Sequence, residues 1–185
     1  SKIVGIWLAS CSFMVAGAIL IGGYTRLKNA GLSMVKWQLV NDMILPTSDE
    51  KWIQLYEEYK QYPEYNYSSN EITLNKFKKI YFLEYFHRIW GRLTGAVFII
   101  PTVLLFATGK LKGMEKRVII YNLLVLAQGI MGWIMVKSGL KEDTMATHGE
   151  PGVSQYRLAA HLGLAFILYS LTMWQTLRIL LPPMK

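Results

Sequence analysis

Two histidines and one glutamate are the residues of this sequence whose type and position could support chemistry in an apolar setting. His87 and His161 each lie within a long apolar segment, and Glu84 precedes His87 by three residues. Ionisable side chains in such segments are costly to bury and mark functional sites. Neutral imidazoles on neighbouring helices can hold a metal ion or a haem iron. The alternative is that each histidine only makes a polar contact between helices.

The pair favours haem over zinc, because no cysteine or further histidine is close enough in the pattern to complete a zinc site. His148 lies in a polar segment and is interpreted as a solvated loop residue. The single cysteine, Cys11, excludes a disulfide within the chain and a multi-cysteine metal site. We expect Cys11 to be a small packing residue.

Glu84 shares a helix face with His87, which makes it a candidate proton donor or acceptor. The alternative is an ion pair with Arg88, which follows at i+4 on the same face. Guanidinium groups bind carboxylates such as haem propionates bidentately. The candidates for that contact are Arg26, Arg88, Arg92 and Arg157, and their alternative role is interface anchoring on lipid phosphate.

The composition identifies the setting as a membrane. Charged residues make up 17% of the 185, and residues 3–25, 118–136 and 158–177 carry no Lys, Arg, Asp or Glu. A helix that spans a bilayer needs about 20 such residues. The net charge of +8 does not indicate nucleic acid, because basic residues flanking apolar spans serve membrane topology.

These patterns predict an all-α integral membrane protein, a four-transmembrane-helix bundle in one domain over 1–185. The expected spans are about 3–24, 80–107, 117–136 and 155–181. The outer loop 25–79 should hold an amphipathic helix at 48–61, lying on the membrane surface or on the bundle. Thr73 should begin a turn that runs into the second span, residues 29–31 and 68–70 are expected turns, and Pro182 and Pro183 should close the last helix.

The basic residues of the loop between spans two and three predict the orientation. Lys110, Lys112, Lys116 and Arg117 face one acid there, which puts this loop and both termini on the inner side. His87 and His161 then lie about seven and six residues into helices that enter from outside, roughly 10 Å deep at ~1.5 Å per residue. The helical hairpin of spans one and two and that of spans three and four are also candidates for an internal repeat.

Four ordered groups of motifs resemble the haem A synthase family over nearly the whole chain. They are 22–27 (GGYTRL) with 30–34 (AGLSM), 84–93 (EYFHRIWGRL), 132–140 (GWIMVKSGL) and 153–163 (VSQYRLAAHLG). The residues of these motifs most resemble those of the mitochondrial and alphaproteobacterial branch of the family. The resemblance implies a multi-pass protein of the mitochondrial inner membrane with matrix-side termini, or alternatively of a bacterial inner membrane.

The resemblance also implies an oxidoreductase that converts the C8 methyl of haem O to a formyl group, giving haem A for cytochrome c oxidase. Glu84 and His87 match the E-x-x-H motif of the family, and His161 matches its histidine in the fourth helix. His87 and His161 would thus ligate or face the haem iron, and Glu84 would assist proton or oxygen chemistry.

This chain is similar only to the amino-terminal, substrate-holding half of family members, which have eight helices. The haem b of the other half and its two ligands are not in this sequence, so catalysis is expected only with a second half or an oligomeric partner. The chain begins without Met and is expected to be processed or incomplete. The alternative is a non-catalytic haem-binding or structural subunit associated with cytochrome oxidase or a respiratory assembly, and a quinol-oxidising cytochrome is a third, weaker option.

Overall fold

The computed structural model describes residues 1–36, 43–62, 64–65, 72–140 and 152–181. Within these ranges the regular structure is entirely helical. The helices are α1 (Lys2–Leu27), α2 (Asp49–Tyr59), α3 (Leu74–Ala107), α4 (Glu115–Gly139) and α5 (Gln155–Leu180). All except α2 are long and apolar enough to cross a membrane. The prediction of an all-α membrane protein with four spans is therefore confirmed.

The starts of α2 and α3 confirm the predicted positions of two helix starts. Ser48 caps α2 by accepting a hydrogen bond from the Lys51 amide at 3.3 Å. Thr73 caps α3 in the same way through the Lys76 amide, and α3 starts at Leu74 rather than near residue 80. His87 is thus farther from the start of its helix than the sequence indicated. His148, the turn at 68–70 and the two closing prolines lie outside the described residues.

Two compact units emerge from the contacts along the chain, so the single domain stays a prediction. The span unit comprises Ser1–Leu20, Trp90–Ile130 and Ala160–Lys185. The loop unit comprises Ile21–Ile89 and Met131–Ala159. Each unit has its own hydrophobic core.

The span unit is held together by apolar packing and neutral hydrogen bonds. Leu8, Cys11 and Phe98 are fully buried in its core, which confirms that Cys11 is a packing residue. The Ser12 hydroxyl donates to Thr172 Oγ1 at 3.0 Å, and the Trp7 indole donates to the Val97 carbonyl at 2.8 Å. Buried polar groups without water must find partners inside the protein, and these do.

The loop unit is built around aromatic side chains. Tyr59 at the end of α2 and Phe77 in α3 are fully buried, with ring centroids 5.1 Å apart. Trp52 meets Tyr81 edge to face at 5.2 Å. Helix α2 therefore packs its apolar face on the start of α3, which is one of the two arrangements expected for it. The predicted turn at Asn29 is present, with a left-handed φ of 49°.

Candidate functional site

Glu84 anchors the segment that follows α1. Its Oε2 accepts hydrogen bonds from Ser33 Oγ at 2.7 Å and from the Met34 amide at 2.9 Å. Its Oε1 accepts from Arg88 Nη2 at 2.6 Å, and the residue is 3% exposed. Both oxygens of this buried carboxylate therefore have hydrogen-bond partners, as buried polar groups require. The ion pair with Arg88 that the spacing offered as an alternative is thus present in the structure.

Arg88 completes the same arrangement from the other side. Its Nη2 also donates to the Met34 carbonyl at 2.7 Å, and its Nη1 donates to the Lys36 carbonyl at 3.0 Å. The side chain is 8% exposed. Glu84 and Arg88 together therefore fasten the chain at Ser33–Lys36 to α3. A propionate that binds Arg88 would share the guanidinium with these acceptors.

His87 lies against α1 in the loop unit. A Cβ built on Gly22 would stand 2.8 Å from His87 Nε2, and 3.3 and 3.4 Å from its Cε1 and Cδ2. The imidazole therefore occupies space that any side chain at position 22 would fill. The absence of a side chain at Gly22 and the position of the His87 ring are coupled features of this unit.

His161 lies in the span unit, where α4 contacts its backbone. Gln128 Nε2 donates to the His161 carbonyl at 3.1 Å. The Nδ1 atom of His161 is buried and has no hydrogen-bond partner among the described residues. A buried imidazole nitrogen left without a partner is a cost that a bound group could remove.

The other arginines occupy different settings. Arg26 and Arg157 belong to the loop unit and are exposed. Arg92 belongs to the span unit and is half-buried. Among the described residues, the hydrogen-bonded network of Glu84 includes Arg88 but neither Arg26 nor Arg157.

Glu64 is a titratable residue of the loop unit that the sequence analysis missed. Burial, followed by the charge of Glu84, raises the pKa of its carboxyl to about 8, while Arg26 acts in the opposite direction. The neighbouring Tyr59 hydroxyl also lowers the pKa of the Glu64 carboxyl. Burial raises the pKa of Tyr59 itself. Neither Tyr59 Oη nor Glu64 Oε2 has a hydrogen bond of regular geometry within the described ranges. A glutamate in a polar loop gave no sign of burial.

The donor chemistry of these residues fits a haem better than a bare metal ion. No group of three His, Cys, Asp or Glu side chains gathers in the part of the chain that the structure describes. Single imidazoles with apolar surroundings suit an axial ligand, since the porphyrin supplies the remaining ligands to iron. The orphaned His161 Nδ1 is consistent with a residue that engages an additional group.

Comparison with known proteins decides the family. The family model described as cytochrome oxidase assembly protein (COX15-CtaA) matches residues 5–185. This chain belongs to the cytochrome oxidase assembly protein family. Every residue considered above lies within the matched range, so membership in this family extends over both units.

Named relatives match 96% to 100% of the chain at 42% to 49% identity. "Heme A synthase COX15" of Homo sapiens is 49% identical over 185 residues, covering 100% of this chain and 45% of that protein. "Heme A synthase" of Paramagnetospirillum magneticum is 46% identical over 96% of this chain and 48% of its own length. The Saccharomyces cerevisiae relative, also "Heme A synthase COX15", is 42% identical over 97% of this chain and 37% of its own. No solved structure matches this chain.

The chain thus spans 37% to 48% of the length of these three relatives. Relatives from both mitochondria-bearing organisms and bacteria, together with four spans, identify it as a multi-pass membrane protein of a family linked to haem.

Proposed function

We propose that this chain is the haem O/haem A-binding half of a haem A synthase-like oxidoreductase. The observation that carries the proposal is the match of the full chain, at 49% identity, to a protein named heme A synthase. The residues of the E-x-x-H motif and the second histidine are all present at their places in the pattern. The chemistry they supply is that of a porphyrin site in a membrane.

His87 and His161 are proposed to bind or face the iron of the substrate haem. An imidazole is an axial ligand for haem iron, and its neutral form suits an apolar site. The orphaned Nδ1 of His161 supports this role. Arg26, Arg88, Arg92 and Arg157 are proposed to receive the propionates, with the two exposed arginines, Arg26 and Arg157, reached without breaking a contact of the Glu84 network.

Glu84 is proposed to assist proton transfer during oxidation of the C8 methyl of haem O to a formyl group. Oxidation of a methyl to a formyl group needs an external oxidant, for which we propose dioxygen. A bound haem would supply the iron chemistry, and a second half that carries haem b would supply the reducing equivalents that a dioxygen-dependent oxidation consumes. Within this chain, Glu84 also holds Ser33 and Met34 in place, so a positioning role accompanies any role in proton transfer.

The chain is proposed to reside in the mitochondrial inner membrane with both termini in the matrix, or in a bacterial inner membrane. Its partners would be the second half or another copy, together with cytochrome c oxidase or its assembly factors. Lipid contacts follow from the many large apolar side chains exposed along the spans.

One observation favours a second candidate, a haem-binding subunit without catalysis. Both oxygens of the Glu84 carboxylate already accept hydrogen bonds, so the group resembles a structural anchor. In that case this chain would retain haem and accompany an oxidase assembly without forming a formyl group.

Glu84→Gln separates the two candidates. In cells that also supply the second half, we expect this variant to bind haem but to produce little haem A, because an amide cannot exchange the proton. Ser33→Ala is the matched control, since it removes a donor to Glu84 but leaves the carboxylate. Pyridine haemochrome analysis measures both haems. Full haem A production by Glu84→Gln would contradict the catalytic role and favour the anchor.

A further inference from the structure

Gly22 and Gly23 are adjacent in α1 but face different surroundings. A Cβ added to Gly22 would meet three atoms of the His87 ring, whereas a Cβ added to Gly23 meets nothing within 4 Å. Both glycines lie in a helix, where glycine is less favourable than alanine. Of these two glycines, therefore, Gly22 alone has a packing reason to lack a side chain.

The three distances at Gly22 also indicate how the His87 imidazole ring is oriented relative to α1. A Cβ at position 22 would lie 2.8 Å from Nε2. Its distances to the two ring carbons bonded to Nε2 would be nearly the same as each other, 3.3 Å to Cε1 and 3.4 Å to Cδ2. A point in line with the lone pair of the nitrogen would be markedly farther from both carbons. The position therefore lies above the nitrogen end of the ring face, so α1 contacts the His87 imidazole through its face at Gly22.

We propose that Gly22 is a positioning residue for His87, because the missing side chain gives the imidazole face a seat against α1 that sets the plane of the ring. The proposal rests on the proposed function for its purpose, which is to hold the His87 imidazole in one orientation toward the haem iron. Axial ligand orientation is one of the means by which a protein tunes a haem.

Alanine at position 22 should act on the ring rather than on the helix. The contacted atoms are the far end of a side chain with two rotatable bonds, so the ring can turn away while the backbone stays in place. The extra methyl would also favour the helix at that position. We therefore expect Gly22→Ala to fold with a displaced His87 ring.

The first test needs no haem. The full chain is purified in detergent with isotope-labelled histidine, and the imidazole NMR signals of His87 are assigned by their loss in His87→Gln. Gly22→Ala is expected to move the His87 signals, and Gly23→Ala is expected to leave them in place. Unchanged His87 signals in Gly22→Ala would overturn the proposal.

The second test uses haem-loaded protein and separates this proposal from the proposed function. Gly22→Ala should alter the EPR signature of the ferric haem, and Gly23→Ala should not. If His87→Gln leaves that signature unaltered, iron ligation by His87 is wrong, and the NMR result alone then decides whether Gly22 positions the ring. If His87→Gln alters it while Gly22→Ala does not, the positioning proposal is overturned and ligation stands.

A double variant covers the case in which Gly22→Ala does not fold. Removing the ring in Gly22→Ala/His87→Ala should restore the yield of folded protein to that of His87→Ala, because the clash is with the ring. A double variant that folds no better than Gly22→Ala would overturn the proposal.

Discussion

The span unit and the loop unit bury their polar groups by different means. In the span unit the typical buried contact is neutral, such as Ser12 with Thr172. In the loop unit it is ionic, with Glu84 and Arg88 enclosed together and joined to backbone groups. The two histidines proposed to bind haem belong to different units: His87 packs its ring on a glycine, and His161 has a buried nitrogen without a partner among the described residues.

This difference teaches where the chain can be altered at low or high cost. A neutral hydrogen bond within a membrane protein contributes about 0.6 kcal/mol, because the unfolded state in the membrane also finds partners. Breaking a buried ion pair leaves an uncompensated charge, which costs about 3–5 kcal/mol. The loop unit should therefore be the more vulnerable of the two to single polar substitutions.

Arg88→Met is expected to have the largest effect. It leaves the Glu84 carboxylate buried without its cation and should lower the free energy of unfolding by about 3–5 kcal/mol. Lys36→Met is the control, because the Lys36 side chain is 61% exposed in its pair with Glu58 and should contribute at most about 1 kcal/mol. Unfolding by SDS in mixed micelles measures both. Equal losses would remove the distinction between the units.

Glu64→Gln tests whether the loop unit holds a second costly carboxyl. The pKa of Glu64 rises from 4.5 to about 8 on folding, so the folded state binds the proton more tightly between those values. The contribution of Glu64 to the free energy of unfolding should be fully present below about pH 4.5 and should be lost as the pH rises through about 8. The loss should be on the order of 1–3 kcal/mol, since the residue is part-exposed.

Glutamine at position 64 cannot lose a proton, so the fall between those pH values should flatten in the variant. The exposed Glu50 on α2 provides the control, and Glu50→Gln should retain the pH profile of the original chain. Stability curves that coincide for the original chain and Glu64→Gln across this range would show that burial of Glu64 carries no cost.

Thr172→Val should have the smallest effect on the free energy of unfolding. It tests the contribution of a neutral hydrogen bond in the span unit. It removes the acceptor of the Ser12 hydroxyl, which still donates to the Leu8 carbonyl at 2.9 Å, so the loss should be about 0.6 kcal/mol. Thr108→Val, at an exposed position just after α3, is the control. A loss as large as that of Arg88→Met would mean that neutral contacts dominate the span unit.

The sequence predicted the spans because their signal is strong and local. Twenty uncharged apolar residues have few stable structures other than a membrane helix. Ser48 and Thr73 predicted the helix starts because their hydroxyl oxygens can cap a helix N-terminus. The start of α3 extends beyond the apolar run because Phe77 and Tyr81 pack on α2, a tertiary contact that hydropathy cannot reveal.

For the site, spacing predicted the Glu84–Arg88 pair as an alternative, since i and i+4 share a helix face. The bonds of that pair to Ser33, Met34 and Lys36 depend on how the chain after α1 returns to α3, and nothing local encodes that path. The burial of Glu64 and the seat of His87 on Gly22 are long-range for the same reason. The haem ligands themselves stay a prediction.

The central proposal is that His87 and His161 bind or face a haem iron, and the visible and EPR spectra of the purified chain test it most directly. The account predicts that His87→Met and His161→Ala each change the iron spectrum, whereas His148→Ala leaves it unchanged. Spectra identical to the original in both His87→Met and His161→Ala would contradict the account.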